Sequence, residues 1–500
     1  MKFFFKISLI GFVAIQIILL VIFFSMVALP VAEPLKANTP NTFFITNVTI
    51  INPGAEAILR EQTVLIEGKR ITYVGDSNTI ILPQNVERID GNGKYLIPGL
   101  WDMHTHWGSR FAPQLSMPLF IANGITNIRD LGGGTNLKLK SKWREETLTG
   151  DLLGPRVIGQ ANLFIENLET KEQVHKLLNS VSFDEPDFIK VYNSVLPGPF
   201  FSLMNEANEL GIKVLGHKPR SVSAIDASKA GYESFEHARL FLYECYSGAD
   251  ELRATYLRRY TSETESSGYV VTPTKLREMV DLHDSKMCNE LMKVMVENGT
   301  WFTPTHITRK MDAFADKDTY RKDERLKYIH FAQRLAWTID ADSMIRIDPS
   351  SKGRQVFMDF YLKGLELTGK AHQVGVRILA GSDANDTYSF PGMGLHDELQ
   401  ELVLAGLSPM EALKAATFNP SDYFNLTKDY GSIEVGKVAD MLLLNADPLE
   451  DISNTTQINH VFFNGAIYDR THLDDMVEYV ESNASSLPLG AKLIWDLLID

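Results

Sequence analysis

The sequence predicts an α/β protein: a (β/α)8 barrel with a small sheet drawn from both chain ends, behind an N-terminal apolar segment. Three observations carry this reading. Eight short apolar runs alternate with helix-patterned stretches through the middle of the chain, as parallel strands joined by crossover helices require. Strand-like segments of one texture, broken by turn residues, stand at both ends. A long uncharged run opens the chain.

Lys2 and Lys6 precede that run, which extends from Ile7 to Val31. Its 25 residues exceed the roughly 20 that a helix needs to cross a hydrocarbon core. A secretory signal has an apolar region of only about 7–15 residues, and Pro30 and Ala32 make a poor cleavage site. An uncleaved transmembrane anchor is therefore favoured over a cleaved signal. The lysines before the run, against Glu33 and Lys36 after it, place the N-terminus in the cytoplasm and the main body outside it, periplasmic or extracellular, or secreted if the segment is cut.

A polar linker at Ala37 to Asn41 leads to strands at Phe43 to Ile51 and Thr63 to Val74. Asp440 to Asn445 and His460 to Asp469 answer them at the far end, the latter folding over the hairpin dipeptide Asn464-Gly465. The eight central runs are Tyr95–Met103, Ile125–Arg129, Arg156–Gly159, Asp187–Val191, Lys213–Leu215, Ser234–Glu236, Trp301–Pro304 and Val376–Ala380. Before Trp301, Leu276, Met279, Val280 and then Leu291, Val294, Met295 recur at helical spacing, with Thr272-Pro273 as a helix start.

Composition narrows the function. Of 500 residues 44% are hydrophobic and 22% charged, which suits a globular chain. With 49 basic against 63 acidic residues, no broad basic surface exists to neutralise a phosphate backbone, so nucleic acid is not an expected partner. Two cysteines, Cys245 and Cys288, exclude a disulfide framework and a cysteine metal cluster but permit one bridge. No G-x-S-x-G supports a serine hydrolase. Gly132-Gly133-Gly134 lacks the Lys-Ser or Lys-Thr of a phosphate loop and reads as a plain loop.

His104-Thr105-His106 ends the first run. Residues two apart on a strand face the same side, so both imidazoles can reach one ion. Alone the pair is weak, since 12 histidines give about 0.3 such pairs by chance. Position strengthens it: Lys190, His217, His237 and Asp383 each fall at the C-terminal end of their own run, the barrel face where active sites are built.

On these residues the chain resembles the amidohydrolase superfamily, and within it the imidazolonepropionase-like and prolidase-like metal-dependent enzymes. The resemblance spans roughly residues 43 to 475. It rests on Pro98-Gly99-Leu100-Trp101-Asp102-Met103-His104-Thr105-His106, Gly154-Pro155-Arg156-Val157, Ile189-Lys190-Val191, Gly216-His217, Glu236-His237, Gly381-Ser382-Asp383 and the stretch Gly431 to Asp440. It implies a TIM-like barrel beside a β-sandwich built from both chain ends. It also implies two divalent ions, Zn2+ by the donor chemistry, with His104 and His106 on one, His217 and His237 on the other, and Lys190 bridging as a CO2-derived carbamate. Asp383 would bind the first ion and act as general base and acid while a shared hydroxide attacks an amide of a dipeptide or N-acyl amino acid.

The surroundings depart from the family pattern. Tyr192-Asn193-Ser194 follows the bridging lysine and Lys218-Pro219-Arg220 follows His217. Tyr192 and Arg220 are thus candidates for holding a substrate carboxylate, and His306 for polarising the carbonyl. Lactone or phosphotriester hydrolysis on the same metals, and a non-catalytic anchored binding module, remain the alternatives. Homo-oligomerisation is left open. The expected division is 1–36 anchor or signal, 37–96 and 425–475 β-sandwich, 97–424 barrel, and 476–500 tail.

Overall fold

A computed structural model describes residues 2–80, 85–107, 109–133, 137–180, 187–261 and 272–499. Gly134 of the glycine run therefore lies outside the described residues. The central strands form one parallel sheet in sequence order: β6 Leu100–Thr105, β7 Ile125–Asp130, β8 Arg156–Ile165, β9 Phe188–Val191, β10 Lys213–Gly216, β11 Ser234–Glu236 and β12 Trp301–Thr303. They are preceded in the chain by β1 Thr42–Asn52, β2 Ala57–Glu67, β3 Arg70–Asp76, β4 Glu87–Asp90 and β5 Tyr95–Pro98, and followed by β13 Met441–Leu444, β14 Ile458–Phe463 and β15 Ala466–Tyr468.

The eighth run is in place although it is not a regular strand. On one side it binds β6, with Met103 N–H to Ala380 O at 2.9 Å and Asp383 N–H to His104 O at 2.7 Å. On the other it binds β12, with Phe302 N–H to Arg377 O at 3.0 Å and Leu379 N–H to Phe302 O at 2.9 Å. The side chain of Asp102 reinforces the seam by accepting from the Ser382 amide at 2.9 Å and from the Ser382 hydroxyl.

Gly99 splits the first run. Tyr95–Pro98 joins the small sheet as β5, and Leu100 starts the barrel. The change of sheet demands glycine, because a Cβ there would lie 2.4 Å from the Thr126 hydroxyl oxygen. The small domain is one continuous eight-stranded sheet, ordered β15-β14-β13-β5-β1-β2-β3 with β4 beside β1, rather than two separate sheets. Both chain ends fill its core: Phe43, Ile45 and Val64 pack with Met441, Leu443 and Phe462. Asn464 and Gly465, both with positive φ, make the expected hairpin turn.

The helix Pro273–Asp281 starts where Thr272 caps it, accepting from the Lys275 amide. The stretch expected as a tail is helical, Arg470–Ala484 and then Leu487–Ile499. Leu473, Met476 and Val480 recur at helical spacing on the buried side of the first. Cys245 and Cys288 are bridged and buried.

As far as Ala28 the N-terminal apolar run lies in a helix, Lys2–Ala28, and its last three residues, Leu29 to Val31, follow the helix end. Side chains are described from residue 15 onward, so the earlier part of the predicted span lies outside the described residues. Among the described residues no helix is long and apolar enough to cross a membrane. Residues 15–28 alone make only about 21 Å of helix against a hydrocarbon core of about 30 Å.

Candidate metal centre

The C-terminal ends of the barrel strands converge, and the six expected ligand residues meet there. Asp383 Oδ1 lies 3.2 Å from His106 Nε2 and 3.4 Å from His104 Nε2, while its Oδ2 lies 3.4 Å from His237 Nδ1. Lys190 Nζ is 3.4 Å from His104 Nε2. The His217 ring lies tilted beside that of His237, with ring centroids 4.3 Å apart. Gly216 makes room for the lysine, since a Cβ at that position would stand 2.6 Å from Lys190 Cδ. His237 and Asp383 have φ of 76° and 57°, a left-handed backbone that costs about 1–3 kcal/mol and persists where the surroundings enforce it.

Neighbouring groups fix which nitrogen each imidazole offers. His104 Nδ1 lies 2.8 Å from Glu236 Oε2 and His106 Nδ1 lies 2.6 Å from Gly132 O, so both donate there and leave Nε2 facing the centre. His237 Nδ1 meets the Thr305 hydroxyl at 2.9 Å. Two buried ring nitrogens, His217 Nδ1 and His237 Nε2, have no hydrogen-bond partner. Unpaired buried nitrogens on adjacent rings are costly unless something else takes their lone pairs, and a divalent cation does. The donor set therefore fits a metal centre.

Electrostatics agree. Burial pushes His104 down to about 4, and His217 and His237 well below the usual imidazole range, so all three are held neutral, the form in which an imidazole can bind a metal. Burial lowers Lys190 to about 8 against the opposing pull of Glu236 and Asp383, which raises the fraction of free amine. Burial alone would raise Asp383, but His104, His106 and Lys190 outweigh it and hold the carboxylate ionised.

Under these residues lies a charged layer that the sequence did not reveal. The Arg129 guanidinium donates to Glu236 Oε1 at 2.8 Å, to Met103 O at 2.6 Å and to the Ser234 hydroxyl at 3.1 Å. Glu236 thus joins the barrel interior to His104. A glutamate next to a histidine in Ser-Phe-Glu-His carries no signal of its own in a single sequence.

Above the centre opens a cleft of about 540 Å³, lined by Phe164, Glu166, Tyr192, Arg239, Arg309, Gln333 and Asp386 with the ligand residues. Tyr192 is where the sequence puts it, its ring 4.1 Å from that of His217. Arg220 is not among the lining residues: its guanidinium lies over the Tyr256 ring at 5.1 Å. His306 is turned away too. Thr305, at φ 45°, swings the chain into the following helix, and His306 Nε2 meets the Thr368 hydroxyl at 2.9 Å in a buried packing contact. Arg239 and Arg309 occupy the cationic positions in the cleft instead. Arg309 pairs with Asp312, whereas no carboxylate pairs with Arg239 among the described residues. Burial and the nearby Arg309 lower the Arg239 guanidinium from its ordinary value, which marks an unneutralised cation.

The amidohydrolase family model matches residues 95–468. The chain belongs to the amidohydrolase family. As an amidohydrolase it is a metal-dependent enzyme that hydrolyses carbon–nitrogen bonds. It is 26% identical over 421 residues to 5'-deoxyadenosine deaminase of Methanothermobacter thermautotrophicus, covering 81% of this chain and 84% of that one. An imidazolonepropionase of Idiomarina loihiensis is 31% identical over 99 residues, 19% of this chain and 24% of that one. The fold is shared with bottromycin amidohydrolase, at a TM-score of 0.66, 19% identity and 93% coverage of both chains. It is also shared with a Xaa-Pro dipeptidase, at a TM-score of 0.61 and 19% identity over 86% of this chain and all of that one.

Proposed function

We propose that this amidohydrolase cleaves the amide of a small substrate bearing a free carboxylate, an N-acyl amino acid or a dipeptide, on the outer side of a membrane to which its N-terminal helix anchors it. The observation that carries the substrate class is Arg239, an arginine without a carboxylate partner in the cleft that holds the ligand residues. Its fork matches a carboxylate, and Tyr192 flanks the same space. Arg239 takes the role that the sequence offered to Arg220.

His104 and His106 would hold one ion, His217 and His237 the other, with Lys190 as its carbamate between them and Asp383 on the first. Two divalent ions, zinc by the imidazole and oxygen donors, supply polarisation of the scissile carbonyl and acidification of a water. Asp383, held ionised, would accept the proton of the attacking water and pass it to the departing amine. Arg239 holds the carboxylate and so sets the scissile bond over the ligand residues. Glu236 keeps the His104 ring in the tautomer that presents Nε2.

Support for the anchor comes from the opposite chain end. The Phe24 and Trp495 rings meet edge to face at 5.5 Å, and Lys492 Nζ donates to Val27 O at 2.5 Å. A cleaved segment would leave that apolar helix end bare. The bridged cysteines fit an oxidising compartment.

The test is a screen of zinc- and bicarbonate-loaded enzyme on N-acyl amino acids, dipeptides, their carboxamides, lactones and phosphotriesters. The carboxylates should be turned over with kcat/KM at least tenfold above the matched carboxamides, and Arg239→Ala should raise KM tenfold or more with kcat little changed. Equal turnover of carboxylates and carboxamides, or faster turnover of a lactone, would overturn the substrate class.

A further inference from the structure

The helix Phe331–Ile347 stands at the rim of the cleft. The Gln333 amide donates to Asn385 O at 3.4 Å, two residues from Asp383, and its side chain lines the cleft. One face of this helix is buried through Trp337 and Ala341. The opposite face should be polar on a surface helix. It carries Phe331, Leu335 and Ile339 instead, at i, i+4 and i+8, and Leu335 and Ile339 are 60% and 56% exposed.

This stripe is joined to the N-terminal helix through the helix Leu487–Ile499, which packs on both. The Phe331 ring abuts Gly490 in the helix Leu487–Ile499, where a Cβ would lie 2.6 Å from it. Further along the same helix, Trp495 and Lys492 hold Phe24 and Val27. Beyond that contact the N-terminal helix presents Ile15, Ile17, Ile18, Leu19, Leu20 and Val21, all more than half exposed.

The connection between anchor and barrel is also fixed. Gln114 donates to Ala32 O at 3.1 Å, the Tyr479 hydroxyl to Glu33 O at 2.6 Å, and the Leu153 amide to Leu35 O at 2.7 Å. A strapped linker cannot swivel, so the anchor dictates which face of the barrel meets the membrane.

We propose that the rim of the metal cleft docks on the lipid bilayer through Phe331, Leu335 and Ile339, so that amphiphilic amides enter the site directly from the lipid. The occupant of the stripe is the bilayer because the helix Leu487–Ile499 ties the stripe to an N-terminal helix whose backbone length of about 40 Å exceeds a hydrocarbon core. The inference rests on the anchored reading above and on Arg239. A long-chain N-acyl amino acid would keep its acyl tail in the lipid and bring its carboxylate to Arg239. Each methylene of such a tail favours its partitioning into the bilayer.

The full-length enzyme, reconstituted in phosphatidylcholine and phosphatidylglycerol vesicles, tests this. The native cysteines are bridged and buried, so Leu335→Cys supplies one reactive thiol for a bimane label. Lipids carrying a nitroxide on the acyl chain should quench that label at least twofold. They should spare a label at Leu210→Cys, which precedes β10 at the barrel end away from the cleft. Quenching at Ile18→Cys but not at Leu335→Cys would keep the anchor and overturn the docking. Absence of quenching at both would overturn the anchor itself. A Leu335 label that ignores the lipid but responds to protein concentration would give the stripe to a second copy and overturn the docking too. Leu335→Ser should leave hydrolysis of an N-acetyl amino acid unchanged and reduce that of an N-palmitoyl amino acid in vesicles at least fivefold. Equal loss on both substrates would overturn delivery from the lipid.

Discussion

Glu236 is fully buried between a guanidinium and an imidazole, and it supports the metal centre without facing it. Burial alone would raise its pKa, but Arg129 and His104 outweigh it and bring it to about 2. A folded pKa below the unfolded value of about 4.3 contributes stability that is complete above that pH and lost as pH falls through 2. The shift corresponds to about 3 kcal/mol. Glu236→Gln should lower the unfolding free energy of the zinc-free protein by that order, because Arg129 is then buried without its counter-charge. It should also weaken zinc binding 10–100-fold, read by competition with a graded chelator, because the His104 tautomer is no longer enforced. Unchanged zinc affinity would remove Glu236 from any positioning role. Asp383→Asn should strike both roles proposed for that carboxylate: turnover should fall a thousandfold or more through loss of proton transfer, and zinc should be bound more weakly in the same chelator competition. The residues proposed as ligands could be singled out because each lies at or just past the end of its own apolar run, and the fold brings those ends together. Arg239 could not, because it lies two positions past His237 at the start of the helix that follows the strand, where a lone arginine reads as solvated. His306 misled for a related reason: one left-handed residue, Thr305, reverses the direction in which its side chain leaves the strand.

At the scale of elements, apolar runs bounded by turn residues identified the barrel strands, and the hairpin dipeptide and the Thr-Pro helix start were read correctly. Periodicity could not show that Tyr95–Met103 serves two sheets, since both halves are equally apolar and only Gly99 marks the break. Nor could it show whether Val376–Ala380 would pair regularly; position along the ring, not strand regularity, makes it the eighth member. The bridge between Cys245 and Cys288 is an element-scale feature of the same kind, permitted by the sequence and decided by packing. It ties the end of the helix Arg239–Glu244 to the helix Ser285–Glu297, across a sequence separation of 43. Closing a loop of that size restricts the unfolded chain by about 4 kcal/mol in the chain-entropy account. Cys245→Ala with Cys288→Ala should therefore lower the melting temperature by several degrees in calorimetry. Zinc content at 25 °C should stay the same, since no ligand residue lies in the bridged segment. An unchanged melting temperature would mean that the bridge constrains nothing that unfolds cooperatively.

On the scale of the whole molecule, both chain ends converge twice: in the small sheet, where β1 and β13 flank β5, and where the N-terminal helix packs on the C-terminal helix that in turn meets Phe331. The first convergence was legible because strand texture repeats at both ends. The second was not, because the last residues read as a tail until their helical packing is seen. The apolar side of the helix Leu487–Ile499 therefore has its cover supplied from residues some 470 positions away in sequence. Deleting residues 1–28 while keeping the strap from Leu29 onward removes that cover and leaves the metal centre untouched. The shortened chain should leave the membrane fraction and sediment as self-associated species, because Trp495 and its neighbours then face water. Its kcat/KM on an N-acetyl amino acid should stay within about twofold of the full chain, since no ligand or cleft residue has moved. Trp495→Ser in the shortened chain should shift the sedimentation back toward a single copy. A shortened protein that stays monomeric without that substitution would show that the C-terminal helix needs no partner, and the rigid mounting of the rim beside the membrane would lose its basis.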